Sequence, residues 1–390
     1  MARASDAPAP GVPAATTLLG GLAPRTFLAR YWQKRPLLVR GAWPGLRDPA
    51  SVSDLFRLAA RDDCESRLVS RAGKGWRLRH GPLRGNALAH LPATRWTILV
   101  QGLNHFVGAA DRMMRAFAFI PYARLDDLMV SYAARGGGVG PHVDSYDVFL
   151  LQGGGRRRWR IATRGDRTLD PRAPLRMLRN FRAETEWVLD PGDLLYLPPG
   201  VAHEGTALEP CFTYSIGFRA PSARELGTEF LAFLQDHLAL SETLYADPDL
   251  VPARAPARID DVLLRRAARM IDAVRWSRRD VAEFIGRHLS EPKPHVRFVP
   301  PPRPLGAAGF ARACARVGVS LAPATGMLHR AGHVFVNGEA NAVRGAGGAV
   351  LRRLADRREL RPGTSFTRDA LELLYTWYLA GYLRPGERDG

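Results

Sequence analysis

Lysine is nearly absent from this chain: Lys34, Lys74 and Lys293 are the only three, although lysine and arginine together number 56. Arginine therefore carries almost all of a formal net charge of +18. A chain this basic binds polyanions at least non-specifically, and a solvated basic surface is an equally good reading. Cysteine is just as scarce. Cys64, Cys211 and Cys314 lie far apart and are odd in number. That excludes a disulfide framework and a CxxC zinc site, and it points to a reducing cytoplasm. No apolar run approaches the length that spans a bilayer, so no membrane role is expected. Residues 1–18 are rich in Ala and Pro, without the basic start and apolar core of a signal peptide, and are expected to form a disordered tail. No Gly-x-Ser-x-Gly nucleophile elbow occurs, and no internal repeat.

What is present is a globular composition, 46% hydrophobic and 24% charged, over 390 residues. That length implies two or three domains. PRTFLARYWQKRPLLVR reads as a short helix leading into an extended LLV segment, and Ser51–Ala60 as a helix capped by Ser51 or Ser53. From about Leu68 to Ile216, short apolar runs alternate with Gly, Pro and Asp turns, which favours an antiparallel sheet or barrel. DVFLLQ, GGG and RRRWRIA form its clearest hairpin, and Asp-Pro-Gly-Asp turns into the strand LLYL. Helical stripes follow: Leu226, Phe230, Phe233 and Leu234 within Ser222–Leu240, then Ile259, Leu263, Met270 and Val274, then Val281, Phe284, Ile285 and Leu289. Residues 290–304 are a proline-rich connector. Beyond them Asn337-Gly338 signals a two-residue hairpin within a small α/β unit.

The chemistry concentrates in PHVDSYDVFLLQGGGRRRWRI. His142 and Asp144 stand at i and i+2, so an extended strand turns both to one face. His203, in LPPGVAHEG, would reach them from a separate strand or loop. Two histidines and one carboxylate cap one face of a metal and leave the other open, an arrangement suited to non-haem Fe(II) and O2. In RRRWRI, Arg157 shares a face with Trp159 and Ile161. If that face points inward, the guanidinium needs an anion, and a ligand carboxylate would serve; a strand with all its arginines at the surface fits the same pattern. In DLMVSYAA, Asp127, Met129 and Ser131 share one face and Leu128, Val130 and Tyr132 the other. Periodicity does not say which of the two is buried. GGGVG at 136–140 reads as a flexible lead-in to the metal strand, and Cys211 as a core residue.

These segments, together with RYWQKRPLLVR, RLDDLMVSYA, DPGDLLYLPPGVAHEG and SIGFRAP, resemble the bacterial JmjC-type ribosomal oxygenases. That family hydroxylates arginine in a large-subunit ribosomal protein. The likeness is continuous from about residue 20 to 221, fades through the helices and is only general beyond them. It implies a mainly β catalytic core, a double-stranded β-helix of the cupin/JmjC type over 19–221. A helical dimerisation region over 222–289, the linker 290–304 and a winged-helix-like domain over 305–390 would follow. It implies Fe(II) on His142, Asp144 and His203, with 2-oxoglutarate as cosubstrate and O2 as oxidant. Arg157 and Ser131 would hold the distal carboxylate of 2-oxoglutarate, while Asp127, Met129, Tyr146 and Ser215 would line the substrate pocket. Thr213 stands where similar proteins can carry Asn.

The implied partners are a large-subunit ribosomal protein, a second copy of this chain in a homodimer, and ribosomal RNA along the basic surface. Because a ribosomal protein is itself basic, Asp126, Asp127, Asp144 and Asp147 are expected to form a local acidic patch. Two other readings stand beside this one. The same fold would serve for hydroxylating histidine or another residue, and a non-catalytic barrel would serve as scaffold for a basic nucleic-acid-binding regulator.

Overall fold

Apolar alternation along short strands produces two facing antiparallel sheets. The computed structural model describes residues 11–386 apart from 74, 86, 87, 89, 239 and 240. The catalytic half contains β1 (Leu37–Val39), β2 (Ser66–Ala72), β3 (Gly75–His80), β4 (Trp96–Val100), β5 (Leu125–Ala133) and β6 (His142–Val143). It continues with β7 (Val148–Gln152), β8 (Arg157–Ala162), β9 (Thr185–Leu189), β10 (Leu194–Leu197), β11 (Ala202–Ala207) and β12 (Cys211–Phe218). Eight strands form one sheet in the order β1-β10-β7-β12-β5-β4-β2-β3, and four form the other, β6-β11-β8-β9. This is the expected cupin/JmjC double-stranded β-helix.

The central strands β7 and β10 of the large sheet are apolar on both faces and wholly buried. Val148, Leu150, Leu195 and Leu197 pack between the sheets against Trp159, Ile161 and Leu189. On the outer face, Leu128, Val130, Phe149, Leu151 and Ile216 meet Phe27, Leu55, Met113 and Phe117 from the flanking helices. One of those helices, Val52–Ala59, opens with a capping box between Ser51 and Asp54. The Asp-Pro-Gly-Asp turn forms as expected: Asp193 N–H donates to the Asp190 carbonyl at 3.0 Å, and Gly192 takes φ +88°.

Helices Ala223–His237, Asp261–Asp272 and Arg278–Ser290 follow. Then come a helix at Ala307–Val317, β13 (Val319–Leu321), β14 (Met327–Arg330), β15 (His333–Val336) and β16 (Glu339–Ala342). A helix at Gly345–Arg357, β17 (Glu359–Leu360), a helix at Arg368–Leu379 and β18 (Leu383–Pro385) complete the chain. Asn337 and Gly338 both have positive φ and join β15 to β16, the hairpin their sequence signals.

Three expectations need correction. Residues 1–10 of the supposed tail lie outside the described residues, but Ala15–Leu18 is a helical turn, with Leu18 and Leu19 buried in the main core. Ala/Pro content hid an apolar pair that anchors the segment. The helix Arg278–Ser290, assigned to the dimerisation region, packs on β14–β16. Gly286 lies so close to Phe335 that a Cβ would sit 2.4 Å from its ring, and Gly338 N–H donates to Ser290 Oγ at 3.1 Å. The connector 290–304 is a docked strap. Phe298 meets the Tyr382 ring at 4.6 Å, and Lys293 reaches back to β5. Among the described residues no helix is long and apolar enough to cross a membrane.

Candidate functional site

β11 lies between β6 and β8, and its register places His203 directly across from His142 on one side and Ile161 on the other. Asp144 follows His142 by two positions and turns to the same face. One ligand atom from each of the three lies within 4.8 Å of the others. His203 Nε2 is 3.5 Å from Asp144 Oδ2, and His142 Nε2 is 3.9 Å from Oδ1. Those separations are too long for good hydrogen bonds and suit donors arranged around an ion.

The imidazoles are oriented for that role. His142 Nδ1 lies 2.9 Å from the Gly140 carbonyl, and His203 Nδ1 lies 3.0 Å from that of Val201. A carbonyl only accepts, so each Nδ1 carries the proton and each Nε2 presents a lone pair to the centre. Burial, with the neighbouring His142, lowers the His203 pKa to about 3, which keeps the ring in the neutral, metal-binding form. Burial raises the Asp144 carboxyl against the opposing pull of His142 and Arg67. A cation between the three would answer that carboxylate, so the donor set fits a divalent metal ion.

The lead-in to this strand is close-packed rather than flexible. A Cβ on Gly137 would sit 2.1 Å from the Trp96 carbonyl oxygen, and one on Gly138 would sit 2.3 Å from that of Gly205. Only glycine lets the backbones approach so closely. Cys211 is wholly buried, as its reading as a core residue requires.

Arg157 faces inward with Trp159 and Ile161 and is 5% exposed. Its Nη1 donates to Ser131 Oγ at 3.1 Å, while Nε and Nη2 are buried with no hydrogen-bond partner. A buried guanidinium with two idle donors is a costly feature unless an anion completes it. Arg157 lies four strand positions from Ile161, the residue opposite His203, or roughly 13 Å of strand. The arginine's own reach plus a short dicarboxylate would bridge from there to the metal donors. Arg156 instead pairs with Glu209 and Arg160 with Glu204, on the outer side. Thr213 stands opposite Ser131 but donates its hydroxyl to Gln152 at 3.2 Å.

β5 puts Asp127, Met129 and Ser131 on the inner face, which settles what periodicity left open: Leu128 and Val130 enter the outer core. Ser215 stands across from Met129 on β12. Gly217 lies near both Asp127 and the Tyr146 ring, since a Cβ there would be 3.9 Å from each. Tyr146 sits between the two halves of the site. Burial and the carboxylates of Asp144 and Asp127 raise its phenol pKa. Asp127 is nearly sealed, and both its oxygens accept from Gln101 Nε2, at 3.0 and 2.8 Å.

The expected four-member acidic patch is not formed. Asp147 is fully buried and accepts from Tyr196 Oη at 2.6 Å and Gln33 Nε2 at 3.0 Å. Asp126 is paired with Arg219 and Lys293. Sequence reasoning missed Gln101, which carries no local signal, and Lys293, whose rarity as a lysine was the one available hint.

Comparison with known proteins matches both halves of the chain to described families. The JmjC domain family matches residues 112–226, and the ROXA-like winged helix family matches residues 273–384. The ribosomal protein uL16 3-hydroxylase of Escherichia coli is 38% identical over 279 residues, 71% of this chain and 74% of that protein. A probable ribosomal oxygenase of Haemophilus influenzae is 38% identical over 210 residues, 53% of this chain and 52% of that one. The crystal structure of Escherichia coli YcfD superposes with a TM-score of 0.83 at 33% identity, covering 93% of this chain and 98% of YcfD. A structure of that ribosomal oxygenase with cobalt and 2-oxoglutarate gives a TM-score of 0.79, with the same coverage.

The donor set predicts one divalent ion per chain. Asp144→Ala should weaken Fe(II) or Co(II) binding by more than the roughly 10–100-fold that follows loss of a group hydrogen-bonded to a ligand. Calorimetric titration checks this, with far-ultraviolet circular dichroism showing that the sheets persist. Wild-type affinity in the variant would remove Asp144 from the metal site.

Proposed function

This chain belongs to the bacterial JmjC-type ribosomal oxygenases, and from that premise we propose that it hydroxylates an arginine side chain of the large-subunit ribosomal protein uL16. It is an Fe(II)- and 2-oxoglutarate-dependent dioxygenase. Iron with 2-oxoglutarate and O2 supplies the oxidising chemistry: the 2-oxoacid is decarboxylated to succinate and CO2, and one oxygen atom enters a substrate C–H bond. A non-catalytic barrel is set aside accordingly, and nothing in the donor set is broken.

The chain's own residues supply placement. His142, Asp144 and His203 hold the metal on one side of the cavity. Arg157, steadied by Ser131, binds the distal carboxylate of 2-oxoglutarate with the guanidinium edge that is otherwise idle. The observation that carries the choice of arginine is Asp127, a buried carboxylate oriented through both oxygens by Gln101. It offers a guanidinium a charge-assisted anchor on the inner face of β5, with Met129, Tyr146 and Ser215 along the approach. Mass spectrometry of uL16 treated with the enzyme should show a gain of one oxygen atom, and fragmentation should place it on arginine. Placement on histidine would instead favour the alternative substrate.

Most of the large exposed apolar side chains cluster between 231 and 276, among them Leu231, Leu264, Ile271 and Trp276, and the helix Asp261–Asp272 buries none of its residues. Such a surface supports a homodimer through this region. Sedimentation at micromolar concentration should give twice the chain mass, and a monomer would rule this out. The net charge of +18 supports contact with ribosomal RNA on a cytoplasmic assembly intermediate.

Arg157→Ala should raise the apparent KM for 2-oxoglutarate by about thirty-fold to several thousand-fold, the equivalent of ~2–5 kcal/mol for removing one partner of a buried charge-assisted contact. Arg157→Lys should recover only part of this, because an ammonium lacks the planar fork. Arg156→Ala and Arg158→Ala should leave the KM nearly unchanged. An equal rise in either would show that the cosubstrate site lies elsewhere.

A further inference from the structure

Lys293 has no role in the reaction as derived above, yet it touches the proposed substrate anchor. It projects from the strap after Arg278–Ser290, between Pro292 and Pro294, which limit the backbone freedom of the segment. Its Nζ donates to Asp127 Oδ2 at 3.2 Å and to Asp126 Oδ2 at 3.1 Å. Burial disfavours the ammonium, but the two carboxylates outweigh it and its pKa is raised. The lysine is therefore charged when it holds Asp127.

A substrate guanidinium arriving at Asp127 meets this ammonium already in place. Gln101 and Lys293 together take up most of the acceptor capacity of the carboxylate, and two cations on one buried oxygen repel each other. Asp126 gives the lysine somewhere to go. It already shares the ammonium, and Arg219 is its only other charged partner within reach among the described residues. A cleft lined by Asp126, Arg219, Ser290, Lys293, Thr325 and Arg358 adjoins it, and none of His142, Asp144 and His203 lines that cleft.

We propose that Lys293 is a specificity-determining residue, a tethered cation that occupies the Asp127 subsite in the free enzyme and yields it to the substrate's guanidinium by withdrawing onto Asp126. The proposal rests on the reading of Asp127 as the arginine anchor. Its consequence is selective. A substrate lysine offers Asp127 the same ammonium that the strap already supplies at high effective concentration, so exchange gains nothing. An arginine brings a planar fork that makes two parallel hydrogen bonds to a carboxylate, and it alone gains from the exchange.

The test is the KM for uL16 in the wild-type enzyme, Lys293→Met and Lys293→Arg, with succinate release as the readout. A competitor that holds the subsite for most of the time raises the apparent KM in proportion to that occupancy, so Lys293→Met should lower it by about three- to ten-fold. Lys293→Arg, a tethered guanidinium with a stronger grip, should raise it. A lysine that serves only to keep Asp127 charged and placed gives the opposite order: a higher KM for methionine and a near-normal one for arginine. That order, or no change in either variant, overturns the proposal while leaving the function intact. Should Lys293→Met fail to fold, Lys293→Arg decides alone, since an unchanged or lowered KM refutes the competitor. If none of the three proteins hydroxylates uL16, the functional reading itself falls and Lys293's role falls with it.

Discussion

The catalytic half depends on the register of β11. Running between β6 and β8, it sets His203 opposite His142, Gly205 opposite Trp159 and Ala207 opposite Arg157. A slip of β11 by one residue would turn His203, Gly205 and Ala207 to the other face and break all three pairings. Gly205 helps to pin the register: a Cβ there would lie 2.8 Å from the Trp159 ring, and its carbonyl is where Gly138 makes its close approach. Small residues on β11 thus make room for the two large ones on β8, one apolar and one charged. The juxtaposition of His142 with His203 and the room for the buried Arg157 side chain both depend on this one strand alignment.

That alignment leaves charges buried and unfinished. Arg157 has two donors without partners, and Asp144 faces two imidazoles at 3.5 and 3.9 Å, too far for good hydrogen bonds. Apolar residues of similar shape would make a more stable barrel. Asp147, three residues after Asp144 and more deeply buried, shows the difference between a structural and a functional carboxylate. Tyr196 and Gln33 each donate to one of its oxygens, and Arg124 lies 3.8 Å away. The two aspartates are distinguished by hydrogen-bond accounting rather than by burial, and only the incomplete one offers a site to a ligand.

The same accounting explains what the sequence could and could not convey. His142, Asp144 and Arg157 were legible because period-two alternation fixes which residues share a face, and Trp159 and Ile161 show which face turns inward. β5 was ambiguous because both its faces are buried, one against helices and one toward the cavity, so Asp127 and Ser131 could not be separated from Leu128 and Val130 by pattern. The acidic patch was misread because sequence proximity says nothing of partners: Asp147 belongs to Tyr196, and Asp126 to Arg219 and Lys293. The stripe Val281, Phe284, Ile285 and Leu289 correctly marked an amphipathic helix. Its partner, the sheet around Phe335, lies some fifty residues onward and leaves no local trace.

Polar contacts join the C-terminal unit to the barrel at Asp111 and at Asp126 and Asp127 of β5. Arg358, at the end of helix Gly345–Arg357, is held within its own unit by the carbonyls of Thr325, Ala322 and Pro323, and its Nε comes within 3.9 Å of Asp111 across the boundary. Arg219 connects Asp126 to the Leu289 carbonyl, which it reaches at 2.7 Å. The hairpin turn at Asn337-Gly338, the natural tip of a wing, is spent on Ser290 and Arg287. A nucleic acid would therefore have to engage another face of this unit. Because Asp126 and Asp127 are adjacent on β5, the contacts of the strap's Lys293 fall on neighbouring carboxylates of one strand. The two pairs differ in character: Asp126 is partly exposed, so salt screens its hold on Lys293, whereas the buried Asp127 keeps the same ammonium under little screening.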